Sequence, residues 1–230
     1  MSLIKIENIT KKYNNNLVLK GVDLEISDNK SLAIIGANGS GKTTLVQIIA
    51  GLTNPTNGVV TYFNNIDKQI GFQFQEGNWP KNSTPIDLII LFKGLNWRKD
   101  EYVSKIFEIF EIDEILRKSI SNISGGQKQR FNTFIALINK PKLLIVDELI
   151  NGLDIRIQIK ILNYFKALKD NKELLLIMVS HNSKEIELLC DEILLLDSGK
   201  VKKIYKKTEV IEKYSNVERF LEEHFKNYDE

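Results

Sequence analysis

The octet Gly36-Ala37-Asn38-Gly39-Ser40-Gly41-Lys42-Thr43 concentrates residues able to hold phosphate. Its glycines let backbone N–H groups close around phosphate oxygens, and a helix beginning there would add the positive end of its dipole. In that arrangement Lys42 reaches the β and γ phosphates, the Thr43 hydroxyl binds Mg²⁺, and Thr44 supports the α-phosphate region. A second group, Leu143-Leu144-Ile145-Val146-Asp147-Glu148, sets an acid pair at the end of an apolar run. If that run is a strand beside the phosphate loop in one parallel sheet, Asp147 supports Mg²⁺ through water. Glu148 then faces the γ-phosphate, where a carboxylate can orient and deprotonate an attacking water.

Such chemistry needs strands to carry the loops and helices to cover the strands. Apolar and polar residues alternate in Leu3 to Ile9, in Val22 to Ile26 and in Val59 to Phe63, which predicts a β-rich opening section. Leu32-Ala33-Ile34-Ile35 is a continuous apolar strand leading into the glycine loop, and a helix from about Lys42 to Ala50 stops at Gly51. Between Ser83 and Lys140 the pattern turns helical, with Pro85 suited to a first turn and Val103, Ile106, Phe107 and Phe110 on one face. The runs Leu143 to Val146, Leu174 to Val179 and Ile193 to Leu196 are solidly apolar, with a helix from Asp154 to Leu168 between the first two. That is the pattern of a parallel sheet covered on both faces. Lys202, Lys203, Lys206 and Lys207 read as a solvated face, followed by an amphipathic helix carrying Val217, Phe220, Leu221 and Phe225.

Composition narrows the functional classes. The 230 residues fit one large domain or a domain with an inserted subdomain. Hydrophobic residues make up 43% and are interleaved with charges, so no segment reaches the roughly 18 consecutive apolar residues of a membrane span. The first residues lack the basic-then-apolar pattern of a secretory signal. Cys190 is the single cysteine, which excludes an internal disulfide and a thiolate-rich metal site. A net charge of +2 with acids and bases mixed gives no field for nucleic-acid binding, and none is expected as a partner.

Ile123-Ser124-Gly125-Gly126-Gln127, followed by Lys128-Gln129-Arg130, resembles the signature sequence of ABC ATPases, within the P-loop NTPase superfamily. The resemblance runs from about Leu3 to Val201. It takes in Tyr13, the phosphate loop, Gln75, the signature, Asp147-Glu148, Asn151-Gly152-Leu153-Asp154 and His181.

It implies an α/β P-loop core, in which a mixed, mostly parallel sheet is flanked by helices. An antiparallel β section lies at the N-terminus, and a helical subdomain over about 83–140 is inserted in one ATPase domain of residues 1–205. Residues 206–230 form a C-terminal helical extension. It also implies ATP and Mg²⁺ as ligands and a head-to-tail dimer, with the same chain or with a related one. Each ATP lies between Lys42 of one chain and Ser124, Gly125, Gly126, Gln127 and Asp154 of the other.

Tyr13 resembles the family's adenine platform, and His181 its switch histidine, hydrogen-bonded to the γ-phosphate. Gln75 resembles the glutamine that touches Mg²⁺ and water, with Gln73 as the competing candidate. The implied function is ATP hydrolysis powering a separate integral membrane permease at the cytoplasmic face of the membrane. The stretch from Ser180-His181 to Cys190-Asp191-Glu192 and the absence of arginine at Ile135 look most like exporters.

Leu149-Ile150 departs from the family, which places a proline and a small polar residue there, and Ile123 replaces a leucine. Two other readings are a soluble ABC ATPase of iron–sulfur assembly and a nucleotide-binding switch without turnover. Retention of Glu148 and His181 speaks against the second.

Overall fold

Alternation in the first strands builds a small sheet whose inner face is oily and outer face wet. In the computed structural model, which describes residues 1–73, 79–80 and 82–225, β1 (Ser2–Tyr13) and β2 (Asn16–Ser27) form an antiparallel hairpin. Ile4 pairs with Ile26 and Ile6 with Leu24, all buried, while Lys5 and Glu25 between them face water. The chain passes through β3 (Leu32–Ile35) and α1 (Lys42–Ile49) before β4 (Asn57–Tyr62) pairs with the other edge of β1.

At one edge of the larger sheet, which includes β3, lies β5 (Ile70–Phe72). An excursion through α2 (Pro85–Lys93), α3 (Glu101–Ile109) and α4 (Gly125–Leu137), joined by short 3₁₀ turns, separates it from β6 (Leu143–Asp147). Then follow α5 (Ile155–Asp170), β7 (Leu175–Val179), α6 (Ser183–Leu189), β8 (Glu192–Asp197), β9 (Lys200–Lys206), α7 (Lys207–Tyr214) and α8 (Val217–Phe225). Strand order is β5-β6-β7-β3-β8-β9, parallel except for β9.

The solid apolar runs are explained by two cores. In β6, Leu143 and Ile145 point towards α1 and the small sheet, and Leu144 and Val146 towards the remaining helices. β3 divides in the same way, with Leu32 and Ile34 on one side and Ala33 and Ile35 on the other. With both faces covered, period-two alternation has no polar partner to show. Among the described residues no helix is long and apolar enough to cross a membrane.

Two local outcomes differ from the sequence expectation. Of the four lysines read as a solvated face, Lys202, Lys203 and Lys206 lie on the edge strand β9, antiparallel to β8, whereas Lys207 opens α7 half-buried, its Nζ donating to Glu187 O at 2.7 Å. Lysines on a sheet edge stay in water while blocking edge-to-edge association, so their solvation and the strand are compatible. The segment after it forms two helices, with Ser215 at φ 74° breaking them.

Candidate active site

Parallel strands deliver their loops to one edge, so β3, β6 and β7 carry the phosphate loop, the acid pair and His181 to the same end of the sheet. There Gly39, Gly41, Lys42, Thr43, Thr44, Asp147, Glu148 and His181 line one cavity of about 420 Å³, joined by Asn16, Val18 and Asn38 of the expected or neighbouring segments. A larger hollow of about 710 Å³ opens at the opposite edge, beside Ser31, Lys142, Leu175 and Asp191, and contains none of these groups. The smaller one gathers the groups that the sequence marks for chemistry.

The loop is shaped by its glycines. A Cβ on Gly36 would lie 2.1 Å from the Leu196 carbonyl oxygen, so only glycine lets the loop lean on the end of β8. Gly41, at φ 102°, enters α1 without a side-chain cap. The first-turn amides of α1 therefore have no partner inside the helix, and they face the cavity through Lys42, Thr43 and Thr44. The buried Ser40 Oγ also has no hydrogen-bond partner among the described residues. A cradle of unpaired donors with one buried ammonium fits a polyphosphate.

Lys42 is 9% exposed and folds back to donate to the carbonyls of Gly36 (2.7 Å) and Ala37 (3.0 Å). Burial pulls its pKa down, against the opposing pull of Asp147 and Glu148. The Asp147 carboxyl is pushed up to about 6, first by burial and then by the Glu148 charge, while Lys42 and the Thr43 hydroxyl act the other way. Thr43 Oγ1 stands 3.5 Å from Asp147 Oδ2. A hydroxyl and a carboxylate this close, at the foot of a phosphate cradle, are hard oxygen donors suited to Mg²⁺.

Glu148 sits at φ 57°, a left-handed backbone that is costly for a non-glycine residue. The conformation is held from three sides. Its N–H donates to Val179 O at 2.9 Å, its carbonyl accepts from Gln129 Nε2 of α4, and its carboxylate accepts from Asn151 Nδ2 at 2.8 Å. The turn lifts the carboxylate into the cavity instead of letting it continue the strand. Across the opening lies His181, with one face in solvent. The groups packed around it lower its pKa first by desolvation and then through the Lys42 charge, so the ring stays neutral at neutral pH.

The buried pair Leu149-Ile150 accounts for the departure noted in the sequence. Both side chains are in the helix-side core, and Ile150 N–H donates to Glu185 Oε1 at 2.8 Å. Glu185, 1% exposed and not singled out by the sequence, also accepts from Ser180 Oγ. One buried carboxylate thus joins the turn after Glu148 to the turn bearing His181. Its pKa is raised by burial, opposed by these two hydrogen bonds.

Other expected residues lie elsewhere. Tyr13 ends β1, 44% exposed, opposite Asn16 of the cavity wall and with Lys11 Nζ 5.0 Å from its ring centroid. Gln75 lies outside the described residues. Gln73 is fully buried, accepting from Thr133 Oγ1 at 2.9 Å and donating to Asp147 O at 3.4 Å, so it joins β6 to α4 instead of facing the cavity.

Ser124, Gly126, Gln127 and Asp154 line a separate hollow of about 360 Å³ that shares no residue with the first. There Ser124 Oγ accepts from Gln127 N at 3.2 Å while Gln127 Oε1 accepts from Ser124 N at 3.1 Å, a capping box that leaves the hydroxyl proton free to donate. Gly125 is open to space, and a Cβ on Gly126 would strike Gly152 O at 2.5 Å. Asp154 caps α5 through Ile157 N at 3.1 Å.

The ABC transporter family model matches residues 19–151. An energy-coupling factor transporter ATP-binding protein, EcfA2, of Caldanaerobacter subterraneus subsp. tengcongensis is 33% identical over 94% of this chain and 83% of its own. The sulfate/thiosulfate import ATP-binding protein CysA of Mesostigma viride is 32% identical over 90% of this chain, which spans only 63% of that relative. A solved dimeric ATP-binding cassette, MJ0796, bound to ADP and Pi in a post-hydrolysis state, superposes with a TM-score of 0.78 at 26% identity, covering 89% of this chain and 98% of the other. With its own phosphate cradle, acid pair and signature on one α/β scaffold, and with more than half its length matched by the family model, the chain belongs to the ABC transporter family as its ATP-binding, ATP-hydrolysing cassette.

Proposed function

We propose that this cassette hydrolyses Mg·ATP between two subunits and uses the closing and opening of that dimer to drive a separate membrane permease. The observation that carries the reading is the split of the machinery: Lys42, Thr43, Asp147, Glu148 and His181 share one cavity, and Ser124, Gly126 and Asp154 another. One chain therefore offers two half-sites, and a second chain, identical or related, completes each.

In this mechanism Lys42 leaves the Gly36 and Ala37 carbonyls for the β and γ phosphates, alongside the first-turn amides of α1. Thr43 and Asp147 would hold Mg²⁺, with Gln75 as the expected third group by family resemblance, and the ion would supply charge neutralisation at the phosphates. Glu148 accepts the proton of the attacking water as that water lines up with the γ-phosphate, and neutral His181 donates a hydrogen bond to the phosphoryl oxygens. Tyr13 stacks on the adenine, and Ser124 with Gly125, Gly126 and Gln127 closes from the partner chain.

On this reading residues 1–205 act as one ATPase unit with the helical insertion of 83–140, and residues 206–230 extend it. The chain works at the cytoplasmic face of the membrane through the permease. For direction, the segment from Ser180 to Glu192 supports export, whereas the printed names of relatives such as CysA denote import. Uptake against efflux in sealed vesicles holding the permease separates the two.

The test is Glu148→Gln. At saturating Mg·ATP it is expected to bind nucleotide, lose about 10²- to 10³-fold or more of the turnover, and elute as a dimer. A variant that remains monomeric, or turns over like the native chain, would overturn the mechanism.

A further inference from the structure

The last turn of α8 reaches the histidine of the ATP cavity. Val217, Phe220 and Leu221 anchor this helix in the core, and Phe225, four residues beyond Leu221, lies on the same stripe. Its ring meets the His181 imidazole edge to face, with centroids 6.0 Å apart and planes at 73°. Around it the helix is tied to its neighbours: Val217 N–H lies 3.5 Å from Glu187 Oε2 of α6, and His224 Nε2 lies 3.3 Å from the Tyr205 hydroxyl of β9.

The backbone beneath His181 is fixed independently. Ser180 Oγ accepts from Asn182 N at 3.0 Å and donates to buried Glu185, and Asn182 Oδ1 accepts from the Lys184 and Glu185 amides at 3.0 and 3.3 Å. The imidazole itself makes no hydrogen bond among the described residues. Its backbone is therefore determined by α6 while its ring direction is left to packing, and Phe225 is the aromatic ring packed against it. Edge-to-face pairs prefer one geometry over others, so such a contact selects among the rotamers of an otherwise loose ring.

We propose that Phe225 is a positioning residue for ATP hydrolysis, holding the His181 ring aimed into the phosphate cavity, so that docking of the C-terminal helix sets the turnover rate. The inference rests on the reading of His181 as the group that meets the γ-phosphate. It gives the C-terminal segment a role in the site although no residue of α8 lines the cavity.

The experiment uses the full chain with Phe225→Ala, Phe225→Tyr, His181→Ala and the double variant Phe225→Ala/His181→Ala. Because three buried residues still anchor α8, Phe225→Ala is expected to fold. Its kcat should fall about threefold to tenfold with KM for ATP within about twofold, Phe225→Tyr should restore the native rate, and Phe225→Ala should add nothing to the loss caused by His181→Ala. Only two histidines are present, so ¹H–¹³C spectra of the rings are simple, and the His181 signal is identified by its loss in His181→Ala. That signal should shift in Phe225→Ala and return in Phe225→Tyr. Native kcat in Phe225→Ala, an unmoved His181 signal, or an equal further loss in the double variant overturns the inference while leaving the role of His181 intact. Native kcat in His181→Ala overturns that role and the inference with it.

Discussion

The N-termini of α1 and α4, which the proposed function sets on either side of one nucleotide, are built in opposite ways. At α1 the entry residue is a left-handed glycine with no side-chain cap, the nearby Ser40 hydroxyl is buried without a described partner, and Lys42 occupies itself on the loop's own carbonyls. At α4 the donors are half satisfied from within, because Ser124 and Gln127 exchange hydrogen bonds in a capping box. On the proposed mechanism, nucleotide is what satisfies the first end. The second is stable while exposed and has only its hydroxyl proton and outer amides to offer. A half-site that waits in solvent for a partner chain must not depend on the ligand for its fold, whereas a half-site that binds first can.

That contrast can be broken from either side. Lys42→Ala should have the largest effect, removing the buried ammonium. Hydrolysis is expected to fall by about 10²- to 10³-fold or more, with nucleotide affinity of the isolated chain falling as well, as read by equilibrium titration and ATPase assay. Ser124→Ala should separate the two functions, leaving nucleotide binding by dilute monomer within about threefold while costing about 10- to 100-fold in turnover. Equal loss of monomer binding in both variants would erase the distinction.

Asp147→Asn sharpens the claim that the first half-site is unsatisfied when empty. An acid whose folded pKa lies near 6 stabilises the fold below its unfolded value and loses that contribution as pH rises through about 6. The variant should therefore melt higher than the native chain at pH 7 by several degrees, equivalent to about 1–3 kcal/mol, with the gap closing towards pH 4. Calorimetry without nucleotide over that range checks it. The smallest effect is expected from Tyr13→Ala, a rise in KM for ATP of about threefold to tenfold with kcat retained, since this ring stands outside the cavity wall.

Much of this was legible from spacing. The octet ending at Thr43 and the apolar run ending in Asp147-Glu148 define loop and strand by their composition, and parallel strands bring both to one edge whatever lies between them. The edge strand β9 was hidden because lysines mask its alternation, and α7 because its apolar face is short. Glu185 was illegible for a different reason. In sequence it is one more acid in a charged helix, and only tertiary burial reveals that its two oxygens serve loops 35 and 5 residues away. Phe225 read as one more core position of an amphipathic helix, because periodicity names the buried stripe without naming what it touches.

The carboxylate of Glu185 has a consequence for timing. It accepts from the turn that follows Glu148 and from the turn that bears His181. Pulling either turn away alone would strand a donor or an acceptor in the interior, at a cost of about 1–3 kcal/mol. On the proposed mechanism the two turns are thereby yoked, and Glu148 and His181 are expected to shift together rather than singly.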